Sequence, residues 1–288
     1  MNALSVTLVH ACLRDGTGGS PTAVVLDAPA LSDEERRRLP LEWGTSHAVY
    51  VDHRERTVDL RFFTGEGELP ACGHGTVAAL ALLASRSWAG AGGGAGQEYR
   101  VTLRAAGRIF GGRAERDGDR LTAAFDPGPV ALRAPTDAER ALVLPALGVT
   151  PEGPGSGAWV AGVGRERLLV SVPTRDRLAA LTPDLDRLRA ACDRFGLLGA
   201  YVHSAPSSEG RLAARMFAPS IGVPEDIANA NSTACLAAHL SAQGIDGITV
   251  DMGDTLGSPA TITATARPGP AGPRIHVGGE ARMDEGGR

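Results

Sequence analysis

Two stretches decide the fold: Ala71-Cys72-Gly73-His74-Gly75-Thr76-Val77-Ala78-Ala79-Leu80-Ala81-Leu82-Leu83 and Ala228-Asn229-Ala230-Asn231-Ser232-Thr233-Ala234-Cys235-Leu236-Ala237-Ala238-His239-Leu240. They align without a gap, and Ala71, Thr76, Ala81 and Leu83 lie over identical residues. Each reads as a loop entering a helix of small and apolar residues. Similar strands, helices and loops surround both, so the chain reads as a duplication. The class is α+β: two pseudo-repeated domains, each a curved sheet around a central helix. The break at Asp126-Pro127-Gly128-Pro129 divides 1–127 from 128–270. The segment 271–288 is expected to be a C-terminal strand, returning to the first domain, and a tail.

The repeat has a chemical consequence. A helix start presents unpaired N–H groups and a partial positive charge. Two such ends across a cleft would hold a carboxylate and stabilise an enolate-like intermediate. The dipole at the first would favour the Cys72 thiolate. Gly73 and Gly75 let the backbone approach a ligand closely.

Working outward, composition narrows the function classes. The 288 residues contain no lysine, so all 29 basic residues are arginine, which excludes lysine Schiff-base and P-loop chemistry. A net charge of −4 gives no basic face for nucleic acid. Cys12, Cys72, Cys192 and Cys235 form no CxxC pair and no zinc pattern with histidine, so neither a disulfide scaffold nor a metal site is expected. The longest apolar run, Val77 to Ala84, is too short for a bilayer, and the N-terminus lacks signal-peptide features; a cytoplasmic protein without membrane contact is expected. Leu4, Val6 and Leu8 alternate along a first strand. Ser32 caps a helix expected to stop near Leu39, before Pro40. The repeat helices are expected over Gly73 to Ser85 and Asn231 to Gln243. Ala89–Gly96 reads as an exposed loop and Asp284–Arg288 as a frayed end.

Glu68-Leu69-Pro70-Ala71-Cys72-Gly73-His74-Gly75-Thr76, with Gly222-Val223-Pro224-Glu225-Asp226 and the helix that follows, resembles the PhzF family of phenazine-biosynthesis-type isomerases. Gly19-Ser20-Pro21-Thr22-Ala23-Val24-Val25, Leu31-Ser32-Asp33-Glu34-Glu35 and Arg215-Met216-Phe217-Ala218-Pro219 extend the likeness over nearly the whole chain. The resemblance implies the diaminopimelate epimerase-like fold, proton transfer beside a carboxylate without metal or coenzyme, and a homodimer. It also exposes departures. His47, in Gly44-Thr45-Ser46-His47, stands where that family carries a catalytic glutamate. Cys72 occupies the first-cysteine position of epimerases and proline racemases. Asn229 occupies the second, which argues against a two-thiol racemase.

These residues give the expected site. His47 and Cys72 are the acid/base candidates, and His74 and Asp226 polarise or position the substrate. Ser46, Gly73, Gly75, Asn229, Ala230, Asn231 and Ser232 bind it. Asn231 and Ser232 also read as plain helix caps, and Cys12, Cys192, Cys235 and the other five histidines as structural or solvated. Glu66 and Glu68 read as a solvated loop with one hydrogen-bonded carboxylate. The expected function is a proton-shift isomerase of a small, amino-acid-derived carboxylate in natural-product biosynthesis, such as an alkylidene-pyrroline carboxylate in 4-alkyl-proline formation. A one-cysteine epimerase or dehydratase of proline-like amino acids, and a non-catalytic ligand-binding homologue, are the alternatives.

Overall fold

The computed structural model describes residues 4–27, 31–54, 56–89, 96–150, 157–269 and 272–284. The Ala89–Gly96 loop and the Asp284–Arg288 tail read from the sequence lie outside them, apart from their ends. The first half runs β1 (Val6–Leu13), β2 (Ser20–Leu26), α1 (Asp33–Trp43), β3 (His47–His53), β4 (Val58–Phe63), β5 (Glu68–Leu69), α2 (Gly73–Ala89), β6 (Gln97–Ala105), β7 (Arg108–Asp117) and β8 (Arg120–Phe125). The second runs β9 (Ala131–Arg133), α3 (Asp137–Ala146), β10 (Ala158–Val163), β11 (Arg165–Val172), α4 (Arg175–Ala179), α5 (Leu185–Phe195), β12 (Ala200–Ser204), β13 (Arg211–Ala218), β14 (Val223–Asp226), α6 (Ala230–Ser241), β15 (Gly247–Met252), β16 (Ala260–Arg267) and β17 (Arg274–Met283).

Strand pairing closes a barrel. β1 pairs with β2, β2 with β3, β3 with β4, β4 with β6, β6 with β7, and β7 with β8. β17 then joins β8 to β1 and completes the ring. Closure leaves no sheet edge in this ring. A second curved sheet runs β9–β10–β11–β12–β13–β15–β16 and joins the ring where β16 pairs with β17. Each sheet wraps one helix: α2 packs on β1, β2, β3, β7, β8 and β17, and α6 on β10, β15, β16 and β17.

The sequence of α2 explains its place. Every residue from Gly73 to Ala84 is buried, and a helix apolar on all sides has no solvent face to offer. Small side chains along both central helices let the strands close tightly. The outer faces of the strands are apolar as well. Ala23, Val25, Tyr50 and Phe63 pack against Leu39 of α1, and Val160, Val170 and Phe217 pack with Leu144 of α3 and Leu188 of α5. Among the described residues no helix is long and apolar enough to cross a membrane.

Three helices differ in their bounds from the sequence expectation. α1 continues through Pro40 to Trp43. Pro40 has no N–H for the Arg36 carbonyl, and the Tyr50 hydroxyl donates to that carbonyl instead, at 3.2 Å. A tertiary contact thus replaces the missing helical bond. α2 runs on to Ala89, where Trp88 is still buried. α6 starts one residue earlier than expected, because Asn229 is the N-cap.

At the start of α3, Thr136 and Glu139 form a capping box, and Arg133 reaches both oxygens of Glu139 at 2.9 and 2.7 Å. Arg133 holds the Glu139 carboxylate down at about 2, against the cost of burial. A depressed carboxylate stabilises the fold above its ordinary range and loses that contribution as pH falls toward 2. Glu139→Gln should therefore cost about 1–2 kcal/mol at neutral pH. The cost should shrink below pH 4, as measured by urea unfolding at several pH values.

Candidate active site

The two repeat helices meet at their starts. A Cβ placed on Gly73 would lie 2.7 Å from the Cβ of Ala230 and 2.7 Å from the backbone N of Asn231. The repeat holds at atomic detail. The Cys72 carbonyl accepts from the Thr76 amide at 3.0 Å and its hydroxyl at 2.7 Å. The Asn229 carbonyl accepts from the Thr233 amide at 3.0 Å and its hydroxyl at 3.1 Å. Cys72 and Asn229 are thus structural counterparts at the two helix starts.

Around this junction the fold gathers one buried cluster. His74, in the first turn of α2, donates from Nδ1 to the carbonyl of Ala228 at 2.7 Å, across 154 residues of sequence. That bond leaves Nε2, which lies 3.5 Å from Cys72 Sγ. His47 opens β3, beside Thr22 of β2, and its ring packs edge-on to His74 with centroids 4.4 Å apart. Ser46 Oγ sits 2.8 Å from His47 Nδ1. Asp226 ends β14; its Oδ2 accepts from Asn229 Nδ2 at 2.9 Å and lies 3.8 Å from His74 Nδ1. Its Oδ1 is buried without a hydrogen-bond partner. Asn229 Oδ1 in turn accepts from the Ser232 amide at 3.0 Å.

The four residues expected to be catalytic, His47 and Cys72 as acid/base groups and His74 and Asp226 as positioning groups, are therefore together, with the residues expected to bind substrate at the same two helix starts. His47, Cys72, His74, Asp226, Asn231 and Ser232 are all buried. Ser46 bonds His47, and a Cβ on Gly75 would come 3.1 Å from Cys72 Sγ. Glu66 and Glu68 stay apart: Arg61 binds both oxygens of Glu68 in solvent, at 2.8 and 2.6 Å. Glu66 is exposed and 4.0 Å from Arg189.

Electrostatics set the two rings apart. Burial, and then the neighbouring His74, hold His47 well below the ordinary imidazole range, so it is neutral. Burial also opposes charge on His74. Its contacts with Cys72, Asp226 and the Ala228 carbonyl outweigh it and raise this ring to about 10. Burial lifts the Asp226 carboxyl above its usual range, against the pull of His74 and Asn229. A neutral imidazole thus lies beside a protonated one, a pairing suited to taking a proton and returning another.

One participant had no signal in the sequence. The Ala228 carbonyl fixes the His74 tautomer, and a backbone oxygen has no residue signature. Cys12 is core filler as expected, fully buried in the hydrophobic core, and burial pushes its thiol up. Its φ of +65° is strained for a residue with a Cβ. A cavity of about 220 Å³ adjoins the Cys72 loop, lined among others by Glu68, Pro70, Ala71, Arg167 and Ser220.

The Asn229 cap is testable directly. Asn229→Ala removes the acceptor for Ser232 N–H and the donor to Asp226. Stability should fall by about 1–2 kcal/mol, read from thermal or urea unfolding.

A closed barrel and a second curved sheet, each around a buried helix, with titratable side chains gathered where the helices meet, fit an enzyme of the isomerase and epimerase class. Comparison with known proteins gives the family. The phenazine biosynthesis-like model, PhzC-PhzF, matches residues 9–287, and the chain belongs to that family. The uncharacterized isomerase YddE of Salmonella typhimurium is 29% identical over 268 residues, covering 89% of this chain and 88% of its own. The trans-2,3-dihydro-3-hydroxyanthranilate isomerase of Pseudomonas fluorescens is 28% identical over 230 residues, covering 78% and 76%. A predicted epimerase from Pseudomonas aeruginosa superposes with a TM-score of 0.80 at 25% identity, covering 98% and 97%. The fold likeness extends to a hydroxyproline epimerase from Agrobacterium vitis, with a TM-score of 0.66 at 12% identity over 99% and 89%.

Proposed function

We propose that this protein shifts a proton, and with it a double bond, in a small amino-acid-derived carboxylate of natural-product biosynthesis. An alkylidene-pyrroline carboxylate on the route to a 4-alkyl-proline is the substrate we favour. The observation that carries the reading is the buried pair of rings at the two helix starts, one neutral and one protonated, with a thiol 3.5 Å from the second. The helix starts gather the substrate carboxylate. Neutral His47 removes a proton from one carbon, and the Cys72–His74 pair delivers one to the carbon two bonds away. Asp226 and Asn229 hold His74 against the Ala228 loop. His47, Cys72, His74 and Asp226 are buried and Asn229 is half-buried.

The name of the Pseudomonas fluorescens relative supports an isomerase of an unsaturated acid. Cys72 at the first helix start also supports a second reading, a one-cysteine epimerase or dehydratase of proline-like amino acids. Turnover in D₂O followed by NMR separates them. The proton shift should place solvent deuterium on the carbon that gains hydrogen and leave the α-position unexchanged. Deuterium confined to the α-carbon selects the epimerase. Thermal stabilisation by the acid, with neither exchange nor conversion, would leave only ligand binding.

A further inference from the structure

We propose that His47, Cys72 and His74 also form a site for one borderline-soft divalent cation, with Zn²⁺ the best match. One ring nitrogen of each histidine and the Cys72 sulfur all lie within 4.8 Å of one another, and all three residues are buried. A tetrahedral zinc with Zn–S of about 2.3 Å and Zn–N of about 2.0 Å separates its sulfur and nitrogen ligands by about 3.5 Å. Cys72 Sγ and His74 Nε2 are 3.5 Å apart. The other ligand pairs, each within 4.8 Å, draw in around a bound ion.

The surroundings suit a cation. His74 already donates its other nitrogen to the Ala228 carbonyl, the outer contact that aims a histidine at a metal. Ser46 holds His47 through Nδ1 in the same manner. Asp226, with one buried oxygen that has no partner, adds negative charge behind His74. Two imidazoles and one thiolate select zinc or copper over magnesium or calcium. Three protein ligands leave a fourth position for water or for a carboxylate oxygen. On binding, the protons on Cys72 Sγ and His74 Nε2 leave to solvent and the cation takes their place.

Only the effect on activity rests on the proposed function. A cation held by the proton-transfer groups leaves them no proton to move, so it acts as a reversible inhibitor that chelation removes. Binding itself is read independently of turnover. Metal-free full-length protein, kept reduced, is titrated with Co²⁺ and then Zn²⁺. The expected result is one Co²⁺ per chain, a near-ultraviolet thiolate-to-cobalt band, visible bands of four-coordinate cobalt, and displacement by Zn²⁺. Cys72→Ser should remove the near-ultraviolet band and weaken Zn²⁺ at least tenfold, as should His74→Gln, each with an unchanged circular dichroism spectrum. His239→Gln, on the far part of α6, should change nothing. Absence of one-to-one binding, or binding unaltered in the folded Cys72→Ser and His74→Gln variants, overturns the site. Stoichiometric binding without inhibition of turnover upholds the site and overturns the inhibition.

Discussion

Cys72→Ala should lower turnover of the proposed alkylidene-pyrroline carboxylate by about 10²- to 10⁴-fold, the usual worth of a positioned acid or base. The chain should stay folded. Cys72 is buried, but its carbonyl, unaffected by the substitution, supplies the helix-start bonds to Thr76. The side chain touches His74 Nε2 at 3.5 Å. Losing it removes the thiol beside His74 Nε2 and one of the contacts that raise this ring. The effect should fall on kcat more than on KM, because the helix starts that gather the carboxylate remain. Single-turnover rates, with circular dichroism and a melting curve on the same samples, measure it. A folded variant losing less than tenfold would remove the thiol from the chemistry.

How much of this site can be read from sequence depends on where its information lies. The gapless match of Ala71–Leu83 with Ala228–Leu240 places Cys72 and Asn229 as counterparts, since both carbonyls must accept from the threonine four residues on. The all-apolar run from Val77 marks a helix with no solvent face, and hence a central one. His47 is legible only through the family resemblance, for a histidine at a strand start is otherwise unremarkable. The Ala228 carbonyl and the register at Cys12 depend on long-range closure. Residue 12 is set by pairing of β1 with β17, more than 260 residues away in sequence, and no local pattern encodes that register. Pro40 misleads for a similar reason, because the compensating hydroxyl belongs to Tyr50 on another strand. Local chemistry is legible at helix caps and repeats; the register of the strand that closes the barrel is not.

Gly73→Ala should disable the enzyme by geometry alone. The added carbon would lie 2.7 Å from the Cβ of Ala230 and 2.7 Å from the Asn231 backbone nitrogen, too close for real contacts. One neighbour is backbone, so no rotamer change relieves it, and α2 and α6 must separate. Overpacking of this kind costs about 1–3 kcal/mol. The functional cost should exceed it, because His74 reaches the Ala228 carbonyl across this junction at 2.7 Å. A displacement of about 1 Å at reacting groups costs about 10²-fold in rate. Gly75→Ala offers the contrast: its nearest neighbours are side-chain atoms at 3.1 Å, the Cys72 sulfur and the Phe62 ring. Adding Ala230→Gly to Gly73→Ala deletes one of the two clashes and should recover part of the stability and rate. Urea unfolding and initial rates on the three variants test the scheme. Wild-type stability and rate in Gly73→Ala would mean that the helix starts are not held together at this contact, and the shared carboxylate site between them would lose its physical basis.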